Sequence, residues 1–224
     1  MATVVQPAEQ VTQRVILPHV CWETYERLLA DHQESSGIHF TYDQGRLEIL
    51  VPSLRHEKLK HTLATLVELL AGALNIDIEG AGSTTFRRHD LARGFEPDAC
   101  FYVAHAARMR QREDIDLTVD PPPDLVIEVG ITSPSLNKMP IFAALGVPEV
   151  WRYDGRQVGI FTLGAGEYTH VEESAAFPGV TREAISQFVE AGKTLKRMDW
   201  QHSVRDWVHN RSAHPPAAPQ GADR

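Results

Sequence analysis

Asp98 and Glu128 are the two acidic residues whose neighbours call for chemistry rather than solvation. Asp98 follows Pro97 at the mouth of the stretch Ala99-Cys100-Phe101-Tyr102-Val103, and Glu128 lies inside Leu125-Val126-Ile127-Glu128-Val129. Burying a charge in such company is costly unless the charge is paired or ligated. A hard divalent cation compensates naturally, because Mg²⁺ takes one or two carboxylates and several waters and leaves room for a phosphate oxygen. A metal so held polarises a phosphodiester and lowers the pKa of an attacking water. The competing explanation is that both carboxylates pair with arginines such as Arg87, Arg88 or Arg93 and only brace a sheet, since structural ion pairs occupy such positions too.

Other candidates carry less. Asp124 shares the strand face of Glu128 by the period-two rule and is a third acidic contact at most; it is expected to end the Pro121-Pro122-Pro123 turn in solvent. Ser133 and Ser135 read as turn and cap residues. His56-Glu57-Lys58-Leu59-Lys60-His61 places its histidines i, i+5, on different helix faces, which is wrong for a zinc protease. Ser135-Leu136-Asn137-Lys138 lacks the partner motifs of the penicillin-binding class, and Gly192-Lys193-Thr194 lacks the preceding glycine of a phosphate-cradling loop. No Cys/His cluster suits structural zinc. Trp151, Trp200 and Trp207 suggest base stacking, but Trp151 falls in a strand and is expected in the core.

The elements that must position these residues are legible in the periodicity. Val20 to Ala30 reads as a helix. Ile38, Phe40 and Tyr42 alternate, as do Leu47, Ile49 and Val51, with a hairpin turn at Asp43-Gln44-Gly45. Leu54 to Leu74 is the clearest helix, with Leu59, Leu63, Leu66, Val67, Leu70 and Leu74 on one stripe. Ile76 to Glu79 and Ser83 to Arg88 read as strand segments around a glycine-containing turn. Asp98 to Val103 and Leu125 to Val129 are further strands, the second apolar enough to be central. Lys138 to Leu145 is a short helix, with Asn137 as its cap, Pro140 in its first turn and Gly146 closing it. Strands follow at Glu149 to Tyr153, Val158 to Leu163 and Tyr168 to Glu172, then a helix capped by Thr181. This order predicts an α/β fold, a mixed central sheet flanked by helices rather than a doubly wound nucleotide fold.

The whole chain sets outer bounds. Its 224 residues suit one domain, and a net charge of −8 counts against a broad basic footprint for nucleic acid. A local groove can still be basic: Arg87, Arg88 and Arg93 precede Asp98, and Arg108, Arg110 and Arg112 follow it. Two cysteines, Cys21 and Cys100, make no disulfide framework. Met1 to Gln13 lacks the features of a signal peptide and no run is long enough to cross a membrane, so a cytoplasmic, membrane-free protein is expected. The expected organisation is a tail at 1–13, a folded domain at 14–193, a helical appendage at 194–211 and a Pro/Ala-rich disordered tail at 212–224.

Four motifs in order add a resemblance. Glu-Pro-Asp at 96–98, Pro-Asp-Leu-Val-Ile-Glu-Val at 123–129, Thr-Ser-Pro-Ser at 132–135 and Gly-Val-Pro-Glu-Val-Trp at 146–151 resemble the putative restriction endonuclease family of the PD-(D/E)XK nuclease superfamily, from about Ile38 to Gly192. The resemblance implies a restriction-endonuclease-like core and an Mg²⁺-dependent (or Mn²⁺-dependent) endonuclease acting on nucleic acid, DNA first, with a homodimer as the candidate assembly. It implies Asp98, Glu128 and Val129 as metal contacts. The superfamily's lysine normally lies two residues past the glutamate, where this chain has Gly130; Lys138 occupies the place of a migrated lysine and would orient water or stabilise charge on the phosphate. The family also carries a histidine where His56 opens the long helix, and the superfamily sometimes a glutamate where Glu57 stands. By helical phase His56 lies at the edge of the apolar stripe and Glu57 points away, in a first turn that favours a carboxylate in any case. The alternatives are a catalytically degenerate nucleic-acid-binding module, favoured by Gly130 and the acidic balance, and an interaction protein recruiting a partner through Trp200 to Val208.

Overall fold

A computed structural model describes residues 12–32, 37–131 and 136–213. The Thr-Ser-Pro-Ser motif at 132–135, Ser133 and Ser135 included, lies outside the described residues, as do 1–11 and 214–224 of the two tails.

Two sheets carry the fold. The smaller is an antiparallel five-stranded sheet in the order β1 (Gln13–Leu17), β3 (Arg46–Val51), β2 (His39–Asp43), β6 (Arg93–Phe95), β5 (Phe86–Arg88). The larger has six strands in the order β11 (Glu167–Val171), β10 (Val158–Gly164), β9 (Glu149–Tyr153), β8 (Leu125–Val129), β7 (Ala99–Tyr102), β4 (Glu79–Gly80). Only β8 and β9 run parallel in it, so it is the mixed central sheet the element order predicts. A parallel pair needs a crossover, and the segment between these two strands contains α4 (Met139–Leu145).

Both faces of the larger sheet are covered, which is why β8 is apolar on alternate and intervening positions alike. On one face α2 (Leu54–Leu74), α5 (Arg182–Ala191) and α6 (Arg197–Ala213) pack Leu63, Leu66, Val189 and Trp200 with Ile127 and Trp151. On the other, Val126 and Val150 meet Phe142 and Leu145 of α4 and the phenylalanines Phe86 and Phe95 of the smaller sheet. A third cluster joins α1 (Trp22–Asp31) to the smaller sheet through Trp22, Tyr25, Phe40 and Leu47.

Several local readings are corrected. The strand segments read at 76–79 and 83–88 shrink to β4 and β5, and since β4 joins the larger sheet and β5 the smaller, the glycine-containing turn passes between sheets. The strand β6 and the single-turn helix α3 (Ala106–Met109) had no periodic signal because each is too short to show one. The segment set apart as an appendage forms α6, whose Trp200, Val204 and Val208 are buried against the core and so are not exposed for a partner. Trp151 is in the core as expected. Among the described residues, no helix is long and apolar enough to cross a membrane.

Candidate functional site

The site is assembled where β7, β8 and the first turn of α2 meet. Ser53 caps α2, its hydroxyl accepting from the His56 amide at 3.2 Å, and this fixes His56 in the turn facing the sheet. In the antiparallel β7–β8 pair Ala99 stands opposite Ile127, so Asp98, one residue earlier, reaches the end of β8. There the Val129 amide donates to Asp98 Oδ2 at 2.6 Å. Lys138, immediately before α4, donates from Nζ to Glu128 Oε2 at 2.8 Å. Asn137 contributes to the start of that helix by accepting from the Met139 amide at 3.2 Å.

Asp98, Glu128, Lys138 and His56 are thus brought together. Asp98 and His56 are 2% and 1% exposed, which removes the solvent that would screen their charges. His56 Nε2 lies 3.4 Å from Asp98 Oδ2 but is not aligned as a hydrogen bond. Both ring nitrogens of His56, and Oε1 of Glu128, are buried without a hydrogen-bond partner among the described residues. Glu57 is half-exposed, its side chain 42% exposed: Oε2 pairs with Lys60 at 3.3 Å, while Oε1 lies 3.7 Å from His56 Nδ1.

The electrostatics follow from burial and mutual charge. Burial pushes the Glu128 carboxyl up to about 7, with Asp98 adding to the shift and Lys138 opposing it. Asp98 goes the other way: burial would raise it, but His56, Lys138 and the Val129 amide together hold it below the ordinary carboxylate range. Burial would likewise lower His56 and Lys138, and the surrounding carboxylates overcome it and raise both.

The arginine-bracing alternative does not describe Arg88 and Arg93, which turn to Asp90 at 2.7 Å and Asp43 at 2.8 Å. Arg108 and Arg112 face Asp120, and Arg110 faces Asp77 and Glu79, so most of the basic residues flanking Asp98 are locally neutralised. Asp124 requires a correction. Instead of standing in solvent it is 8% exposed and accepts from the Val103 and His105 amides at 2.8 and 3.0 Å and faces the His105 ring at 2.8 Å. Its carboxylate closes the turn after β7, because the buried amides leaving that strand need an acceptor.

Three further residues surround the site without having been singled out. Glu48, on β3, is 1% exposed; its Oε2 accepts from the Leu136 amide at 2.7 Å and lies 3.3 Å from Arg14 Nε, while its Oε1 has no hydrogen-bond partner among the described residues. Alternation with Leu47 and Ile49 assigned it to a polar face, and that face is covered by the chain at 136. His39 is 5% exposed and is held neutral, burial lowering its pKa to about 4 against the pull of Asp98. It lines a groove of about 930 Å³ that also touches Arg87, Glu96, Tyr102 and Arg110. Arg152 borders a smaller recess of about 40 Å³ together with Glu128, Gly130 and Lys138. The larger groove does not include the carboxylate pair; Glu128 opens into the smaller recess, and that is where buried charge is concentrated.

The donor set suits a hard cation. Glu128 offers a buried oxygen with no hydrogen bond, Asp98 is a second carboxylate within its electrostatic reach, and no thiolate is involved. Among the described residues no group of three or more His, Cys, Asp or Glu is gathered as a metal cage. Two carboxylates with water completing the shell is the arrangement Mg²⁺ accepts and a protein-saturated site is not.

Comparison with known proteins gives one family. The model of the Uma2 family, described as putative restriction endonuclease, matches residues 22–190. Among solved structures, the chain is similar to a putative nuclease belonging to DUF820 from Anabaena variabilis ATCC 29413, at 14% identity and a TM-score of 0.47, covering 67% of this chain and 90% of that one. A comparison with curated proteins finds no match.

Proposed function

Because the chain belongs to the Uma2 family of putative restriction endonucleases, we propose that it is a metal-dependent endonuclease hydrolysing phosphodiester bonds in nucleic acid, with DNA as the substrate. The observation that carries this reading is the buried, half-satisfied carboxylate: Glu128 keeps one oxygen unbonded beside Asp98. Native structures seldom leave a buried polar atom unpaired without a functional reason.

In this reading Asp98 and Glu128 hold Mg²⁺ or Mn²⁺, and Val129 adds its backbone carbonyl, its amide being committed to Asp98. The cation supplies electrophilic activation of the phosphodiester and of the attacking water. Lys138 keeps its ammonium at Glu128, 2.8 Å away, from where it can donate to a phosphate oxygen as negative charge develops. His56 stands behind Asp98, 3.4 Å away, and with Lys138 and the Val129 amide it holds that carboxyl below the ordinary carboxylate range. Burial of Asp98 and His56 and the low exposure of Glu128 and Lys138, 13% and 10%, limit competition from bulk water for the same contacts.

A second reading is a module that binds nucleic acid without cutting it, favoured by Gly130 at the usual lysine position. The two separate in one experiment: cleavage of supercoiled and linear DNA, and of RNA, by pure protein with Mg²⁺ or Mn²⁺, beside an Asp98→Ala, Glu128→Ala variant. Metal-dependent cutting that the variant loses supports the nuclease. No cutting of any substrate with either metal rejects it in favour of the binding module.

A further inference from the structure

Gly130 leaves a space, and a side chain from the next strand is in it. A Cβ built on Gly130 would come 3.6 Å from Arg152 Nε and 3.8 Å from its Nη2. In the parallel pair β8–β9, Glu128 and Arg152 are register partners, so their side chains leave the same face of the sheet. The guanidinium of Arg152 therefore occupies the place above residue 130 that a longer residue there would need.

The charges around this recess are unequal in what they are free to do. Arg14, Lys138 and Arg152 are its three cations. Lys138 is bonded to Glu128 at 2.8 Å and Arg14 lies 3.3 Å from Glu48. Arg152 is exposed and makes no ion pair among the described residues. A guanidinium is always charged and presents a planar fork of donors that matches a phosphate. With two carboxylates already in the site, an anionic strand also needs an uncommitted positive charge beside them.

The geometry points to Arg152 as the phosphate-binding residue of this site, gripping the backbone of the nucleic acid next to the bond to be cut. The assignment rests on the nuclease reading for its substrate, but its signature is in binding and is measured apart from turnover. Arg152 acts from the strand adjacent to Glu128, its guanidinium within van der Waals reach of the side-chain position at 130.

The test uses the full chain and labelled oligonucleotides of mixed sequence, single-stranded and duplex, titrated with Ca²⁺ present across a series of salt concentrations. Arg152→Gln should weaken binding about ten- to hundredfold, the loss of one charge-assisted phosphate contact. The slope of log affinity against log salt should fall by about 0.7 to 0.9, one phosphate's worth. Arg152→Lys should keep the wild-type slope, because the charge remains. Unchanged affinity and slope in Arg152→Gln overturn the assignment, as does a Lys variant whose slope drops to that of Gln. Wild-type binding here, with no cleavage of any substrate in Mg²⁺ or Mn²⁺, overturns the nuclease reading and leaves the Arg152 assignment standing, whereas no binding by wild type at low salt overturns both.

Discussion

Glu128 and Glu149 stand on adjacent parallel strands, both with little exposure, yet their surroundings differ in kind. Glu149 is 2% exposed and fully engaged: Oε1 accepts from the Trp151 indole and the Ser174 hydroxyl, each at 2.6 Å, and Oε2 from the Ala175 and Ala176 amides at 2.7 and 3.2 Å. Glu128 has Lys138 on one oxygen and no hydrogen bond on the other among the described residues. The first carboxylate ties the loop at 174–176 to the sheet and has no capacity left for a ligand. The second retains that capacity and opens into a recess. Burial alone marks neither role; the decisive quantity is how many of its acceptor sites the protein itself fills.

The comparison breaks most visibly if the Glu128 site proves dispensable. Asp98→Ala with Glu128→Ala should lower cleavage at least about a thousandfold, on the order of 4 kcal/mol of barrier, while circular dichroism shows an intact fold. Glu149→Ala should do the reverse. Stranding its buried donors should cost about 3 kcal/mol of stability, seen calorimetrically as a drop of about 6–12 °C in Tm, with cleavage per folded molecule retained. Lys138→Met sharpens the contrast from the side of the partner: kcat per folded molecule should fall about a hundredfold, roughly 2.7 kcal/mol. The smallest effect belongs to Glu128→Gln, which keeps the shape and removes a desolvated charge. Its amide oxygen can still accept from Lys138, so its urea midpoint should correspond to a stability within about 1 kcal/mol of wild type, and a larger loss would place Glu128 in the same class as Glu149.

Much of the fold is legible without coordinates wherever a pattern is long enough to declare its period. The stripe Leu59, Leu63, Leu66, Leu70 announces α2, the alternation from Ile38 to Val51 announces the β2–β3 hairpin, and the apolar run around Glu128 announces a strand covered on both faces. The short elements β4, β6 and α3 span two to four residues and carry no such period. Within the site, Asp98 and Glu128 stand out because a charge in an apolar run is conspicuous. Glu48 and His39 do not, since each lies in a strand whose second face is covered by a distant segment. Arg152 looks like any outward strand residue until Gly130 is seen beneath it.

The sequence by itself determined the period of each long element, and hence that Glu128 sits in a central strand, Asp98 at a strand mouth and His56 in the first turn of a helix. Those are consequences of local alternation and of the cost of placing charge among apolar neighbours. Only the tertiary structure decided which of these groups are left with unfilled hydrogen-bonding capacity. The Val129 amide reaches Asp98 across 31 positions of chain, and the Ala175 amide reaches Glu149 across 26. Satisfaction of a buried carboxylate is a property of donors brought from afar by the sheet and its loops, so two glutamates alike in local sequence become a structural anchor and a candidate ligand.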